Sequence, residues 1–236
     1  MEDIIKSIED IGGRFVLDPG EFQSKLSSSK AFIFDWDGVF NDGVKTSEYG
    51  SPFSEVDSMG INLLRFGWWL KNGEFPPIAI ITGQRNEIAT HLAKREHFEA
   101  VYFKVIDKRM ALKHFCADHS IQPNEIAFLF DDILDLGLAG LCGLRFLVNR
   151  TGTPLFAKYV ENNRLCDYIS ANQGNNFAVR EICEMILGIS GLFEKVTYNR
   201  KEVSPDYRQY WNLRNQRQST VYTVEQEMII PWDDPK

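Results

Sequence analysis

Short, almost purely apolar runs alternate with longer stretches of helical periodicity through the middle of this 236-residue chain. The runs AFIF (31–34), IAII (78–81), AVYF (100–103), IAFLF (126–130) and RFLV (145–148) are of strand length and have little or no polar face. Strands of that kind need cover on both sides, as in a parallel sheet. Between the first two, residues 57–72 place Ile61, Leu63, Leu64, Trp68 and Leu70 at mostly helical spacing, with Gly73 to close the helix. Further helices are predicted over residues 85–96, 107–119 and 177–187. The alternation predicts an α/β fold built on a doubly wound parallel sheet. Ligands in such sheets bind beyond the carboxyl ends of the strands, where the strand order reverses.

The ends of the chain differ from this middle. Residues 1–30 read as a helical lead-in of two short helices, the second opened by Asp18 with Pro19 at its first position. Residues 31–188 carry the sheet pattern. Residues 189–236 hold Phe193, Tyr198, Tyr207, Tyr210, Trp211, Tyr222 and Trp232, an aromatic density that predicts docking on a globular surface rather than a solvated tail. Turn-forming residues around Glu48, Tyr49, Gly50 and Ser51 predict a small β-hairpin between 43 and 55.

Composition narrows the partners. A hydrophobic content of 44% is enough for a full core, and a formal net charge of −7 argues against nucleic acid or an anionic membrane as the main partner. Glu2, Asp3, Glu9 and Asp10 are the opposite of a signal-peptide start, and no apolar run reaches membrane-spanning length, so a cytoplasmic protein is expected. Cys116, Cys142, Cys166 and Cys183 are too scattered for a zinc or redox pair and are expected as buried thiols. Neither His91 with His97 nor His114 with His119 has the spacing of two ligands on one helix face.

The chemistry concentrates at predicted strand ends. Asp35 ends the first apolar run, Asp37 follows two residues on and Gly38 allows a tight turn, an arrangement that can converge carboxylates on a hard cation such as Mg²⁺. An EF-hand loop is excluded, because Val39 stands where a ligand is needed and Phe40 where glycine is needed. Asp131 and Asp132 end the run 126–130, and acids gathered with Asp35 and Asp37 repel one another unless a divalent metal joins them. Thr82 and Gly83 can hold phosphoryl oxygens, and Lys108 can neutralise developing charge. A metal beside a carboxylate nucleophile suggests phosphoryl transfer.

The order DWDG (35–38), ITG (81–83), DK (107–108) and DDILD (131–135) resembles the haloacid dehalogenase (HAD) superfamily. Within it, residues 31–188 resemble the 3-deoxy-octulosonate 8-phosphate and nonulosonate 9-phosphate phosphatases and the related domain of acylneuraminate cytidylyltransferases. The branch-level matches are DGVFNDG (37–43), Tyr49 with Gly50, DSMGI (57–61) and FAVRE (177–181). This resemblance implies a HAD-type Rossmann-like sheet with a small β-hairpin in place of a cap domain, and a Mg²⁺-dependent phosphatase acting through an aspartyl-phosphate. It implies Asp35 as nucleophile and Asp37 as general acid and base. The metal would be held by Asp35, the Asp37 carbonyl and Asp131, with Asp132 and Asp135 in support. Thr82, Gly83 and Lys108 would bind the phosphoryl group, and Asp57, Ser58, Gln84 and Arg180 the rest of the substrate. A homo-oligomer is implied, in the family a tetramer whose hairpins close neighbouring sites, with Arg180 reaching across a subunit boundary. The chain departs from the pattern at Phe130, where glycine is usual, and at Lys104, where a small residue is. Gln84 and Val56 stand where octulosonate enzymes carry arginine. An alternative expectation is a silent HAD module that assembles with a cytidylyltransferase or another enzyme of sugar-acid metabolism.

Overall fold

The structure, a computed structural model, describes residues 1–45 and 50–233. The chain opens with α1 (Glu2–Asp10), the two-residue β1 (Arg14–Phe15) and α2 (Pro19–Ser28) before the first core strand, β2 (Ala31–Phe34). There follow α3 (Glu55–Asn72), β3 (Ile78–Ile81), α4 (Glu87–Glu96), β4 (Ala100–Tyr102), α5 (Lys108–His119), β5 (Ile126–Phe130) and the single turn α6 (Leu136–Ala139). β6 (Leu144–Leu147), α7 (Pro154–Asn162), β7 (Tyr168–Ile169) and α8 (Ala178–Ile189) complete the alternating part. Residues beyond 189 add α9 (Phe193–Lys201), α10 (Pro205–Arg214), β8 (Thr220–Glu225) and β9 (Met228–Pro231). Among the described residues no helix is long and apolar enough to cross a membrane.

The nine strands among the described residues form one sheet in the order β1-β7-β6-β5-β2-β3-β4-β8-β9. The seven inner strands are parallel, and β1 and β9 pair antiparallel at the two edges. From β2 the chain winds outward through β3 and β4, then crosses back to β5 on the other side of β2. The switch point of this doubly wound sheet is therefore the β2–β5 seam, where Phe34 pairs with Leu129.

Side chains alternate across the sheet with a period of two, so each strand feeds two cores. Phe32, Phe34, Ile78 and Ile80 enter the layer that holds Phe66, Leu92 and Ile182 from α3, α4 and α8. Ala31, Ile33, Ala79 and Ile81 enter the opposite layer with Leu112 and Phe115 of α5. The purely apolar strand sequences follow from this double cover. Asp18 caps α2 as expected, accepting from the Gly20 and Glu21 amides at 3.0 Å each. The expected hairpin between 43 and 55 falls partly on residues 46–49, including Tyr49, which lie outside the described residues.

Helix α3 fixes two of its neighbours by their ends. Its buried Asp57 accepts the Arg180 amide in the first turn of α8 at 2.9 Å, supplying the cap that Phe177 cannot. Its buried Arg65 donates to the carbonyls of Glu96 and His97, at 2.7 and 2.6 Å, where α4 ends. An acid at one helix N-terminus and a base at another's C-terminus each meet the favourable end of the local dipole. Gly60 lets α3 and α8 approach, since a Cβ there would lie 3.0 Å from the Arg180 Cα.

The aromatic C-terminal segment packs into this frame. Tyr210 is fully buried among Phe66, Trp69 and Phe75, and its hydroxyl donates to the Asn62 carbonyl at 3.2 Å. β8 extends the parallel sheet beside β4, and Trp232 meets Phe103 edge-on at 5.3 Å. Tyr210→Ala is expected to cost about 3–5 kcal/mol, the range for emptying a buried aromatic site. Urea unfolding checks this: a midpoint close to that of the parent protein would mean that α10 contributes little to the fold.

Candidate active site

Three carboxylates meet at the switch point. Asp35 follows β2, Asp131 follows β5, and Asp135 closes the short turn after Asp132; ligand oxygens of Asp35, Asp131 and Asp135 all lie within 4.8 Å of one another. All three are buried. Lys108, the first residue of α5, donates to Asp35 and to Asp135 at 2.5 Å each, because α5 packs on the sheet face toward which Asp35 continues the alternation of β2. Arg150, just beyond β6, is ion-paired with Asp131.

The electrostatics show crowding that two cations do not relieve. Burial, reinforced by the Asp135 charge, pushes the Asp35 carboxyl up to about 7, against the opposing pull of Lys108. Burial and the neighbouring Asp35 push Asp131 up to about 8. Burial also disfavours the Lys108 ammonium, but Asp35 and Asp135 outweigh it and hold its pKa above the ordinary lysine value. Buried, oxygen-only ligands with unneutralised charge fit a hard divalent cation.

The turn from 36 to 43 is held mainly by one side chain. Asn41 accepts from the Gly38 and Gly43 amides at 3.3 and 2.8 Å, and donates to the Trp36 and Pro52 carbonyls. Gly38 has φ +89°, and a Cβ on it would lie 2.0 Å from an Asp131 oxygen and 2.1 Å from the Arg150 guanidinium. Only glycine lets the turn press against Asp131. Glu181 braces the other side, accepting the Ala171 and Asn172 amides at 2.8 Å each. That loop carries Gly174 against the Gly38 and Asn41 carbonyls.

Asp37 is half-buried and looks toward the opening. Ser51 donates to one of its oxygens, and Lys45 Nζ lies 2.8 Å from the other. Lys45 also donates to the exposed Gln84 at 3.0 Å, while Asn86 donates to Ser51 at 3.0 Å. Thr82 follows β3, buried, and its hydroxyl oxygen accepts the Gln84 amide at 3.4 Å; Gly83 beside it is exposed. Asp132 faces partly outward and accepts the Ile133 amide at 2.7 Å.

The structure thus gathers Asp35, Asp131, Asp135 and Lys108, with Asp37 beside them through the turn. It engages three of the expected substrate residues elsewhere. Asp57 is buried as the α8 cap, and its burial pushes its carboxyl up to about 7. Ser58 donates to Glu96 at 3.0 Å, and the Arg180 guanidinium is taken by Glu184, one helical turn on. Residues to which the sequence reading gave no site role are Arg150, Asn41, Ser51, Lys45 and Asn86. Position alone marked Arg150, which follows shortly after an apolar strand at the same end of the sheet as Asp35 and Asp131.

Two departures from the family pattern have local explanations. The Phe130 ring stacks on Phe128 at 5.6 Å in the α5-side core, on the strand face opposite to its neighbour Asp131, so it is taken up by core packing. Lys104 has φ +57°, the conformation that favours glycine, and its ammonium lies 5.9 Å from the Trp232 ring centroid.

No family model matches the chain. It is 27% identical over 167 residues to the 3-deoxy-D-manno-octulosonate 8-phosphate phosphatase KdsC of Yersinia pestis, covering 69% of this chain and 82% of that protein. A Legionella pneumophila structure assigned to the HAD superfamily, subfamily III A, superposes with a TM-score of 0.64 at 27% identity, covering 78% of this chain and 95% of that one. The Moraxella catarrhalis 3-deoxy-D-manno-octulosonate 8-phosphate phosphatase, solved with magnesium, phosphate and KDO, gives 0.63 at 28% identity, covering 76% and 98%. The likeness to HAD phosphatases of the octulosonate branch therefore holds in sequence and in fold.

Asp57→Ala is expected to lower stability by about 1–2 kcal/mol, the cost of losing a helix cap, while leaving divalent-cation affinity unchanged. Denaturant unfolding and cation titration check the pair. Weakened cation binding at unchanged stability would return Asp57 to the site.

Proposed function

We propose that this chain, a phosphoric monoester hydrolase of the HAD type, is a Mg²⁺-dependent phosphatase of a phosphorylated keto-sugar acid of the octulosonate 8-phosphate or nonulosonate 9-phosphate class. The observation that carries the reading is the buried carboxylate cluster at the switch point with Lys108 inserted between Asp35 and Asp135. The substrate class rests on the names of the Yersinia and Moraxella relatives.

In this reading an Asp35 oxygen attacks phosphorus and the bond to the sugar oxygen breaks, while Asp37 gives its proton to that oxygen. Asp37 then takes a proton from water, whose oxygen displaces Asp35 from the aspartyl-phosphate and releases phosphate. Asp35, Asp131 and the Asp37 carbonyl would hold Mg²⁺, with Asp135 and Asp132 in support; bound there, the cation offsets the charge on phosphoryl oxygens. Lys108 orients Asp35 and, with Thr82 and Gly83, receives the phosphoryl oxygens.

The active unit in this proposal is a homo-oligomer, a tetramer as in the family resembled. Beside the site, Ile106, Ile133 and Leu134 are 95, 64 and 79% exposed, an apolar rim that a neighbouring subunit would cover. Only a dozen residues connect the acidic turn to α3, too few for a separate lid domain. Arg180 would contribute across the boundary by exchanging Glu184 for a substrate anion. Sedimentation alongside kinetics checks this: a monomer with full specific activity rejects the shared site.

Asp35→Asn should abolish turnover and the acid-stable phosphoryl label, and Asp37→Asn should slow turnover by about 10²- to 10⁴-fold. Full activity in EDTA overturns the mechanism, and equal kcat/KM on octulosonate, nonulosonate and hexose phosphates overturns the substrate class.

A proton count provides a further check. Metal-free Asp35 and Asp131 keep protons up to about 7 and 8, so Mg²⁺ binding near neutrality displaces protons and tightens as pH rises through those values. With folded pKa values above the unfolded ones, the metal-free fold binds these protons more tightly and loses stability as pH rises from about 4 through that window. Calorimetry in buffers of different ionisation heat reads the release directly, and zero release at pH 7 contradicts it.

A further inference from the structure

None of the acidic cluster lines a second cleft, of about 610 Å³, bounded by the first half of α3, the end of α4 and the helices α9 and α10. Asn62 and Tyr207 in its wall are each more than nine-tenths buried. Yet the Asn62 side-chain oxygen and the Tyr207 hydroxyl have no hydrogen-bond partner, where buried polar groups are nearly always paired. Arg200, over the Tyr207 ring at 4.5 Å, also has an unpartnered Nε, and among the described residues no carboxylate pairs with it.

The acids present are already committed. Glu55 is bonded by Arg95, and Glu96 is shared between Arg95 at 3.2 Å and Arg214 at 2.9 Å. The cleft therefore keeps, among the described residues, one guanidinium with no carboxylate partner, and in its wall an orphan hydroxyl and an orphan acceptor that are closed to solvent. A second cavity of about 380 Å³ opens beside it, sharing Arg200, Tyr207 and Trp211. The Trp211 ring, backed by the Arg214 guanidinium at 4.5 Å, is half exposed and offers a flat apolar wall.

We propose that this cleft is a binding site, separate from the carboxylate cluster, for a small anion that carries hydroxyl groups. Arg200 would take the anionic group, whose carboxylate or phosphate oxygens suit a guanidinium, and small side-chain shifts would bring the Tyr207 hydroxyl and the Asn62 oxygen to the ligand. A ligand hydroxyl would donate to Asn62, and the carbon chain would lie along Trp211. The cleft is also lined by Ser58, which was expected at the substrate site.

The test uses the full chain in excess chelator, where the carboxylate cluster repels anions. D-gluconate and glycerol 3-phosphate, hydroxylated anions with different head groups, are each titrated by calorimetry, with tryptophan fluorescence as a second readout. Saturable binding of at least one probe is expected, one per chain, weakened about tenfold or more by Arg200→Gln and several-fold by Tyr207→Phe, and unchanged by Asp35→Asn. Arg200 lies partly exposed at the end of α9, so its replacement leaves both cores intact, and unfolding midpoints verify this. Three results overturn the proposal: no saturable binding by either probe, binding indifferent to both cleft substitutions, or binding lost in Asp35→Asn. A changed sedimentation coefficient in Arg200→Gln with no probe bound would also overturn it, making the cleft a subunit contact.

Discussion

Like charges held close together out of water are the constraint on which this structure turns. Three carboxylates with oxygens within 4.8 Å repel one another strongly where the surroundings are apolar. Each neighbouring feature answers that repulsion. Lys108 is delivered by the first turn of α5, Arg150 by the loop after β6, and the acidic turn folds tightly enough to require glycine at 38. Two cations still leave Asp35 and Asp131 holding protons to near neutrality, so the site keeps an appetite for positive charge.

A site of this kind needs rigid supports, and α3 supplies them from a distance. Through Asp57 it sets the start of α8, and from α8 Glu181 gathers the loop that seats Gly174 under the acidic turn. Through Arg65 it sets the end of α4, whose first turn is fixed by Asn86, the residue that also holds Ser51 against Asp37. Both chains of contact end at one turn, the first at its Gly38 and Asn41 carbonyls and the second at the Asp37 carboxylate. The buried polar side chains of α3 therefore act on the chemistry without touching it.

That distinction explains what the sequence disclosed. Strands covered on both faces announce themselves as apolar runs, so β2, β3 and β5 were legible to the residue, as were the acids that interrupt them. The two-residue β1 and β7 have too few side chains to show any period. β8 reads as alternating because it lies near a sheet edge, and only its register beside β4 makes it part of the sheet. Asp57 and Ser58 drew attention as polar residues in a motif, but a motif records spacing and not direction. Both point into packing between helices, where a cap and a buried ion pair need them. Arg150 and Asn41 have the reverse problem: their partners lie across a turn or on another strand, which no local pattern encodes.

The opening of the site shows how one substitution is absorbed by another element. Octulosonate enzymes of the family resembled carry an arginine where Gln84 stands, a fixed cation beside the Thr-Gly turn. Here the Gln84 side chain instead accepts from Lys45, which reaches over from the segment after the acidic turn and pairs at once with Asp37. Positive charge at the mouth is retained, but its carrier is a flexible ammonium rather than a planar guanidinium, and it is tied to the residue proposed as acid and base. An anionic end group entering the mouth must compete with Asp37 for Lys45. In the proposed reaction that single side chain would couple recognition of the substrate's far end to the role of Asp37, as an arginine on the Thr-Gly turn would not.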